Sequence, residues 1–243
     1  MRARKASQNL KKSAEREVGR PAPSSRKKIL LVDDHPMMRA GLAQLINKQP
    51  DLEICCEAGN PTEAFNELAK AKVDLVLTDI TMPGRSGIEF IKDLIASHPE
   101  LPILVISMHD EMIYAERVLR AGARGYIMKE AGGENLLAAI RQVLGGQVYV
   151  SPKMSAKILD NLSSRKPRGS SSPIEKLSDR EFEVFQLIGQ GKSTKEIARQ
   201  LHLSSKTVDV HRGHIKEKLE LKDATSLVRH AVRWVETQST DKP

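Results

Sequence analysis

The sequence lacks long apolar runs and contains little cysteine, and each shortage excludes a class of protein. Its two cysteines, Cys55 and Cys56, are adjacent in a chain of 243 residues, so they cannot form the disulfide framework of a secreted domain. No apolar run approaches the roughly 18 residues of a membrane-spanning helix. The first residues are polar and basic, unlike a secretory signal. We therefore expect a cytoplasmic protein without a membrane partner.

The net charge of +8 is distributed unevenly along the chain. Residues 1–28 contain ten Lys/Arg and two Glu, whereas residues 29–150 contain eleven bases and seventeen acids. An acidic body suits a cation site, and basic flanks suit an acidic polymer. Residues 1–28 also lack helical or strand periodicity, which favours a disordered basic tail. Residues 163–173 are rich in Ser, Pro and basic residues, which is typical of a linker.

The region over residues 29–146 alternates short apolar strands with amphipathic helices. Strand patterns fall at residues 29–32, 52–56, 74–78, 103–106 and 125–128. Each is followed by apolar residues at helical spacing. Five such units predict a five-stranded, doubly wound parallel sheet of the α/β class. Because successive strand residues point to opposite faces, Cys55 and Cys56 are expected to be packing residues on opposite sides of the second strand.

The region over residues 174–236 is helical, and residues 147–173 form a partly helical linker before it. Ser178 with Glu181, and Ser193 with Glu196, have the spacing of capping boxes at two helix starts. Asp223 is placed to cap a last helix. These patterns predict an all-α domain of four helices that contains a helix-turn-helix, followed by a short tail over residues 237–243.

Reactive side chains follow four of the predicted strands. Asp33 and Asp34 follow the first, Asp79 the third and Lys129 the fifth, while Ser107 follows the fourth. Ligands of an open parallel sheet lie outside the carboxyl ends of its strands. Clustered carboxylates repel one another, so a hard cation such as Mg²⁺ would stabilise them. Asp79 could then attack a phosphoryl group, with Lys129 neutralising the charge and Ser107 detecting the phosphate.

Residues 29–146 resemble the receiver domain of bacterial two-component response regulators, a flavodoxin-like fold. The matching stretches are Leu-Val-Asp-Asp-His (31–35), Leu-Thr-Asp-Ile-Thr-Met-Pro-Gly (77–84), Ser107, Ala-Gly-Ala-Arg-Gly-Tyr (121–126) and Lys129. The resemblance implies that a sensor histidine kinase phosphorylates Asp79, and that Ser107 and Tyr126 form the switch pair. It also implies Mg²⁺ bound by Asp33, Asp34, Asp79 and the Thr81 carbonyl.

The helical region resembles the LuxR-type DNA-binding domain of NarL/FixJ-class regulators. The matching stretches are Leu-Ser-Asp-Arg-Glu (177–181), Gly-Lys-Ser-Thr-Lys-Glu-Ile-Ala (191–198), Lys-Thr-Val-Asp-Val-His-Arg (206–212) and Ile-Lys-Glu-Lys-Leu (215–219). The helix from about residue 205 to 219 would enter the major groove of double-stranded DNA. The expected DNA-binding residues are Ser205, Lys206, Thr207, Asp209, Val210, Arg212 and Lys216.

Together these patterns predict a phosphorylation-dependent transcription factor and not an enzyme. Phosphate at Asp79 is expected to release a restrained DNA-binding domain, which would then dimerise on two half-sites. RNA polymerase is a further candidate partner. Two alternatives stay open. One is a DNA-binding protein whose receiver is purely structural. The other is an aspartyl-phosphate phosphatase, which would ordinarily place an acid where Thr81 stands.

Overall fold

The first folded region is a parallel sheet with helices on both faces. A computed structural model of the chain describes residues 26–82, 86–163 and 173–240. The strands are β1 (Lys27–Val32), β2 (Leu52–Ala58), β3 (Leu75–Thr78), β4 (Ile103–Ser107) and β5 (Gly125–Met128). All pair in parallel, in the order β2-β1-β3-β4-β5. The predicted α/β class and doubly wound sheet are confirmed.

Five helices connect and cover these strands. They are α1 (Pro36–Asn47), α2 (Pro61–Leu68), α3 (Gly87–Ser97), α4 (Glu111–Arg120) and α5 (Gly133–Leu144). One apolar core contains Ile46 and Ile140 from α1 and α5. Phe90 of α3 and Val118 of α4 belong to the core on the other face. Because both faces are covered, the central strands are apolar at nearly every position.

The start of the sheet differs from the predicted boundary. Strand β1 begins at Lys27, so Lys27 and Lys28 belong to the sheet and not to a basic tail. Arg26 also donates from its guanidinium to the carbonyls of Asn47 and Gln49. The prediction of a tail over residues 1–25 lies outside the described residues, as do predictions for residues 83–85, 164–172 and 241–243.

Strand β2 contains a β-bulge that the alternation pattern did not predict. Ile29 pairs with Ile54, but the next residue, Leu30, pairs with Cys56, so Cys55 is left as an extra residue. The expectation that Cys55 and Cys56 point to opposite faces is wrong, because their sulfur atoms lie 3.0 Å apart. A bulge interrupts the two-residue period, so side chains before and after it exchange faces.

The segment after α5 packs against the parallel sheet. Tyr149 accepts from the Tyr126 amide and donates to the Arg124 carbonyl, forming a bridge beside β5. Helix α6 (Pro152–Ser163) follows. The buried Glu111 carboxylate accepts a hydrogen bond of 2.7 Å from the Ser151 amide, which fixes the start of α6 against α4.

The second folded region consists of α7 (Asp179–Gly189), α8 (Thr194–Gln200), α9 (Ser205–Lys218) and α10 (Ala224–Thr240). Both predicted capping boxes are present, at Ser178 with Glu181 and at Ser193 with Glu196. Asp223 accepts from the Ser226 amide at the start of α10. That helix extends four residues beyond the predicted domain end. No helix within the described ranges combines the length and apolar character required to cross a bilayer.

Candidate phosphoacceptor site and nucleic-acid interface

The predicted reactive side chains meet at one edge of the sheet. Strands β1, β3, β4 and β5 are consecutive neighbours, so their carboxyl ends form a continuous row. Lys129 lies between two carboxylates, with its Nζ 2.6 Å from both Asp33 Oδ2 and Asp79 Oδ2. Asp33 is fully buried and Asp79 is 2 % exposed. Two buried carboxylates therefore share one buried ammonium group.

The charges at this edge hold Lys129 in its protonated form. Burial by itself would lower the pKa of Lys129, but the hydrogen bonds and charges of Asp33 and Asp79 outweigh it and raise the pKa above its ordinary value. An ammonium group fixed beside Asp79 could offset negative charge gained by that carboxylate. The positive charge of Lys129 would therefore favour a modification that adds negative charge to Asp79.

The same edge offers oxygen ligands for a hard cation. Ligand atoms of Asp33, Asp34, His35 and Asp79 all lie within 4.8 Å of one another. The Oδ1 atom of Asp34 is buried and accepts no hydrogen bond, although His35 Nδ1 lies 2.8 Å away. An unsatisfied carboxylate oxygen beside two further carboxylates fits a divalent cation that prefers oxygen, as Mg²⁺ does.

His35 joins this cluster from the start of a helix. It is the N-cap residue of α1, and its ring also lies against Asp34. Thr81 is close to the site through its backbone, because its amide donates to Asp79 Oδ1 at 2.9 Å. The proposed role of the Thr81 carbonyl stays a prediction.

The predicted switch pair, Ser107 and Tyr126, meets at a third residue. Ser107 Oγ accepts from the His109 amide at 3.2 Å, and the Tyr126 hydroxyl donates to the His109 carbonyl at 2.8 Å. The Tyr126 ring is buried, and this burial raises the pKa of its hydroxyl. His109 was not singled out from the sequence because it carries no periodic or strand-end signal. It connects both members of the pair.

Comparison with known families accounts for both regions of the chain. Residues 29–141 match the response regulator receiver domain, and residues 175–231 match the bacterial regulatory proteins of the luxR family. The chain is 37 % identical over 210 residues to the oxygen regulatory protein NreC of Staphylococcus carnosus, covering 85 % of this chain and 97 % of that protein. This chain is a two-component response regulator.

Other relatives and solved structures agree with that assignment. The NreC protein of Staphylococcus aureus strain MRSA252 is 39 % identical over 210 residues, 85 % of this chain and 97 % of that one. A structure of the Salmonella typhimurium response regulator RcsB has a TM-score of 0.62 at 25 % identity, covering 86 % of this chain and 98 % of that one. RcsB bound to the promoter rprA with the phosphomimetic BeF3⁻ has the same fold, with a TM-score of 0.60 at 24 % identity over 86 % of this chain and 99 % of that one.

In this response regulator, α9 carries the predicted DNA-binding residues on an exposed surface. Val208 and Ile215 point into the domain core. Ser205, Lys206 and Asp209 are exposed, and Val210 is 48 % exposed. The remaining predicted residues, Thr207, Arg212 and Lys216, are half-buried. The predicted outward face of α9 is thus available to a ligand.

The response regulator also has direct contacts between its two folded regions. The Tyr114 hydroxyl on α4 donates to Gln186 on α7, and both residues are buried. Arg117 lies over the Phe182 ring at 4.1 Å and donates to the carbonyls of Ile174 and Leu177. These contacts join residues 57 to 72 positions apart, which explains why no local sequence pattern predicted them.

The contact between the regions reaches the edge that holds Asp79. The Ser86 hydroxyl donates to Glu183 at 2.8 Å, next to the loop that follows β3. A cavity of about 220 Å³ lies between the two regions, lined by Asp34, Thr81 and His109 on one side and by Arg180 and Glu183 on the other. The helical region therefore covers part of the entrance to the sheet edge that holds Asp79.

Proposed function

We propose that Asp79 is the residue of this response regulator that becomes phosphorylated. The observation that carries the proposal is the buried Lys129 ammonium, which lies 2.6 Å from an oxygen of Asp79 and 2.6 Å from an oxygen of Asp33. The Asp79 carboxylate would attack the phosphorus atom of a phosphodonor, the bond between phosphorus and the donor would break, and an acyl phosphate would form as the donor group leaves. Lys129 would stay bonded to the modified side chain and offset its added charge.

We propose Mg²⁺ as the cation of this site. Asp33, Asp34 and Asp79 would hold it, with the Thr81 carbonyl as a further oxygen ligand. The unsatisfied Asp34 oxygen supports this assignment. When bound, Mg²⁺ supplies positive charge to the oxygens of the transferring phosphoryl group.

Ser107 and Tyr126 would convert the phosphate into a structural change. The Ser107 hydroxyl would turn towards a phosphoryl oxygen and leave the His109 amide, which it accepts from in this structure. His109 stacks on Tyr114 with ring centroids 4.8 Å apart, and Tyr114 bonds to Gln186 of α7. A shift of His109 would therefore weaken the contact between the two regions. This route does not pass through residues 164–172 of the linker.

The freed helical domain would bind double-stranded DNA through α9. Lys206, Thr207 and Ser205 would contact the phosphate backbone at the helix start. Asp209, Val210 and Arg212 would approach base edges, and Lys216 would contact the backbone further along. Lys206 and Asp209 are exposed in the docked arrangement, so docking does not cover these side chains. Docking would instead restrict the position of the helical domain and its pairing with a second copy on DNA.

The partners follow from these roles. A sensor histidine kinase would supply the phosphoryl group, and two copies of the chain would pair on two DNA half-sites. RNA polymerase would be a partner of the DNA-bound form, and all these events would occur in the bacterial cytoplasm. We propose domain limits of residues 26–151 for the receiver and 173–240 for the DNA-binding unit, slightly wider than the sequence patterns indicated.

The proposal is tested by labelling with acetyl phosphate. Asp79→Asn should abolish labelling, because an amide cannot form the acyl phosphate. Asp74→Asn is the matched control, since Asp74 lies at the opposite end of β3 and pairs with the exposed Lys27. Undiminished labelling of Asp79→Asn would exclude Asp79 as the acceptor.

The same residues argue against a turnover phosphatase. Thr81 stands two residues after Asp79, where an acid would ordinarily assist leaving-group departure and water attack. We expect at most one phosphoryl group to be transferred per chain. Steady hydrolysis of a small phosphate ester over many turnovers would support the enzyme instead.

A further inference from the structure

The bulge in β2 brings the two cysteines together on one side of an edge strand. Cys55 Sγ lies 3.0 Å from Cys56 Sγ and 3.6 Å from the Ile29 carbonyl oxygen. Both side chains are half-buried free thiols. Strand β2 ends the row of strands, so its outer edge has no strand neighbour within the described sheet. Because neither cysteine is fully buried, a small reagent can reach the thiol pair.

A direct disulfide between these residues would be strained. Adjacent Cα atoms lie about 3.8 Å apart across a trans peptide, whereas ordinary disulfides join Cα atoms about 4.4–6.8 Å apart. Inserting a single atom between the sulfurs relieves this restriction, because the sulfurs no longer need to approach to bonding distance. The pair is therefore better suited to chelation than to oxidation.

The number of ligating side chains around Cys55 and Cys56 limits which metal or metalloid the pair can bind. A tetrahedral zinc ion needs four ligands or three and a water. Among the described residues, the grouped His, Cys, Asp and Glu side chains that could hold a metal are those around Asp79, and Cys55 and Cys56 are not in that group. Burial, helped by the neighbouring Cys55 thiol, raises the pKa of Cys56 to about 12. Among the described residues, the site thus offers the protonated Cys56 thiol, the neighbouring Cys55 thiol and no third His, Cys, Asp or Glu ligand.

We propose that Cys55 and Cys56 form a bidentate site for a trivalent arsenical carrying one organic substituent. Such a compound uses two sulfur ligands and condenses with protonated thiols. In the reaction of an organoarsonous acid, two As–O bonds break and two As–S bonds form. The two thiol protons leave with the two hydroxyl groups as water. Arsenic stays trivalent, so no oxidant or reductant is required.

The test uses the reduced full-length protein and phenylarsine oxide. Because the chain has two cysteines in all, intact mass should show one phenylarsenic group per chain with both thiols blocked. The adduct should resist a large excess of a monothiol and be removed by 2,3-dimercaptopropanol. Cys55→Ser and Cys56→Ser each retain one thiol in the same strand. Their affinity should fall at least about 100-fold, because the second bond of a chelate forms at high effective concentration.

A second measurement distinguishes the folded site from mere adjacency in the sequence. If the bulge preorganises the thiols, the arsenical binds the native chain more tightly than the unfolded chain and raises the thermal unfolding midpoint. This measurement on the unmodified sequence stands even if a serine variant folds poorly. Any of four results would overturn the proposal. These are binding of two arsenicals per chain, release of the adduct by a monothiol, single variants that bind as tightly as the unmodified protein, or a thermal unfolding midpoint that the arsenical leaves unchanged or lowers.

Discussion

The candidate phosphoacceptor edge and helix α9, which carries the predicted DNA-binding residues, differ in how firmly the fold fixes their side chains. At the edge, the side chains of Lys129 and Asp79 are buried and hydrogen-bonded to each other. On α9, Lys206 and Asp209 are exposed. A site that carries out chemistry on a small group is organised in advance. A surface that reads a polymer is completed when the polymer binds, so its energetics appear only in the complex.

The largest effect should come from removing the ammonium at the edge. Lys129→Met should lower the free energy of unfolding by about 3–5 kcal/mol without Mg²⁺, because it leaves the carboxylates of Asp33 and Asp79 buried and uncompensated. Millimolar Mg²⁺ should recover part of this loss by replacing the missing positive charge. Urea unfolding with and without Mg²⁺ measures both effects.

Lys216→Met on α9 is the matched control for Lys129→Met. It removes the same charge from a helix surface and should change stability by no more than about 0.5 kcal/mol. If both variants lose similar stability, or if Mg²⁺ restores nothing to Lys129→Met, the proposed contrast between an organised edge and an open surface is wrong.

The next largest effect concerns DNA affinity. Arg212→Ala should weaken binding to a cognate site by about 1–3 kcal/mol and relax base preference, because the side chain is assigned to base edges. Lys206→Ala should weaken binding to all sequences and reduce the salt slope by about one, because it is assigned to a phosphate. Fluorescence anisotropy over a salt series separates the two roles.

Lys72→Ala supplies the control for the DNA variants, since Lys72 is an exposed lysine of the receiver. It should leave affinity and salt slope unchanged. A loss of acetyl-phosphate labelling in Arg212→Ala or Lys206→Ala would also contradict the comparison, because these residues are expected to act in the complex with DNA and not at the phosphoacceptor edge.

A third effect tests how the two regions communicate. Tyr114→Phe removes the hydroxyl that donates to the buried Gln186. Losing this bond should weaken docking by about 1 kcal/mol, which corresponds to about fivefold more undocked protein. DNA binding without phosphodonor should rise accordingly. Gel-shift titration of the unphosphorylated protein measures this change.

Tyr149→Phe is the matched control for Tyr114→Phe. Tyr149 joins β5 through its backbone, so loss of its hydroxyl should leave DNA binding unaltered. Equal behaviour of the two variants would show that Tyr114 does not carry the coupling between Asp79 and α7.

The meeting of the strand-end side chains could be predicted because it depends on local rules. Asp33, Asp79 and Lys129 follow apolar strands, and parallel strands align their carboxyl ends. The capping boxes at Ser178 and Ser193 were local in the same way and are confirmed. These elements need no knowledge of the rest of the chain.

The features that the sequence did not reveal depend on pairing between distant segments. The bulge at Cys55 arises from the register of β2 against β1, and strand alternation assumes regular register. The bond between Tyr114 and Gln186 depends on how two domains dock. His109 connects the switch pair through its backbone carbonyl and amide, which residue type does not encode.

The smallest expected effect is a pH dependence of docking through Glu183. Burial raises the pKa of Glu183 above its ordinary 4.5, and the hydrogen bonds from Arg180 and Ser86 offset this only in part. The docked arrangement therefore binds a proton more tightly than the undocked one. Docking should become more favourable as pH falls through the raised pKa, with no further gain below about pH 4.5. DNA binding without phosphodonor should decrease over that range, by less than about fivefold.

Glu183→Gln isolates this contribution from other titrating groups. His211 also lies near Arg180 and Glu89, and burial lowers its pKa below 6.5, so it is a second titratable group close to this contact. Glutamine retains an oxygen that can accept from Ser86 but cannot ionise, so the variant should lose the pH dependence and dock at neutral pH as the wild type docks in acid. If the pH dependence survives in Glu183→Gln, the group that senses pH is elsewhere. The contact between Ser86 and Glu183 would then position the two regions without making their docking depend on pH.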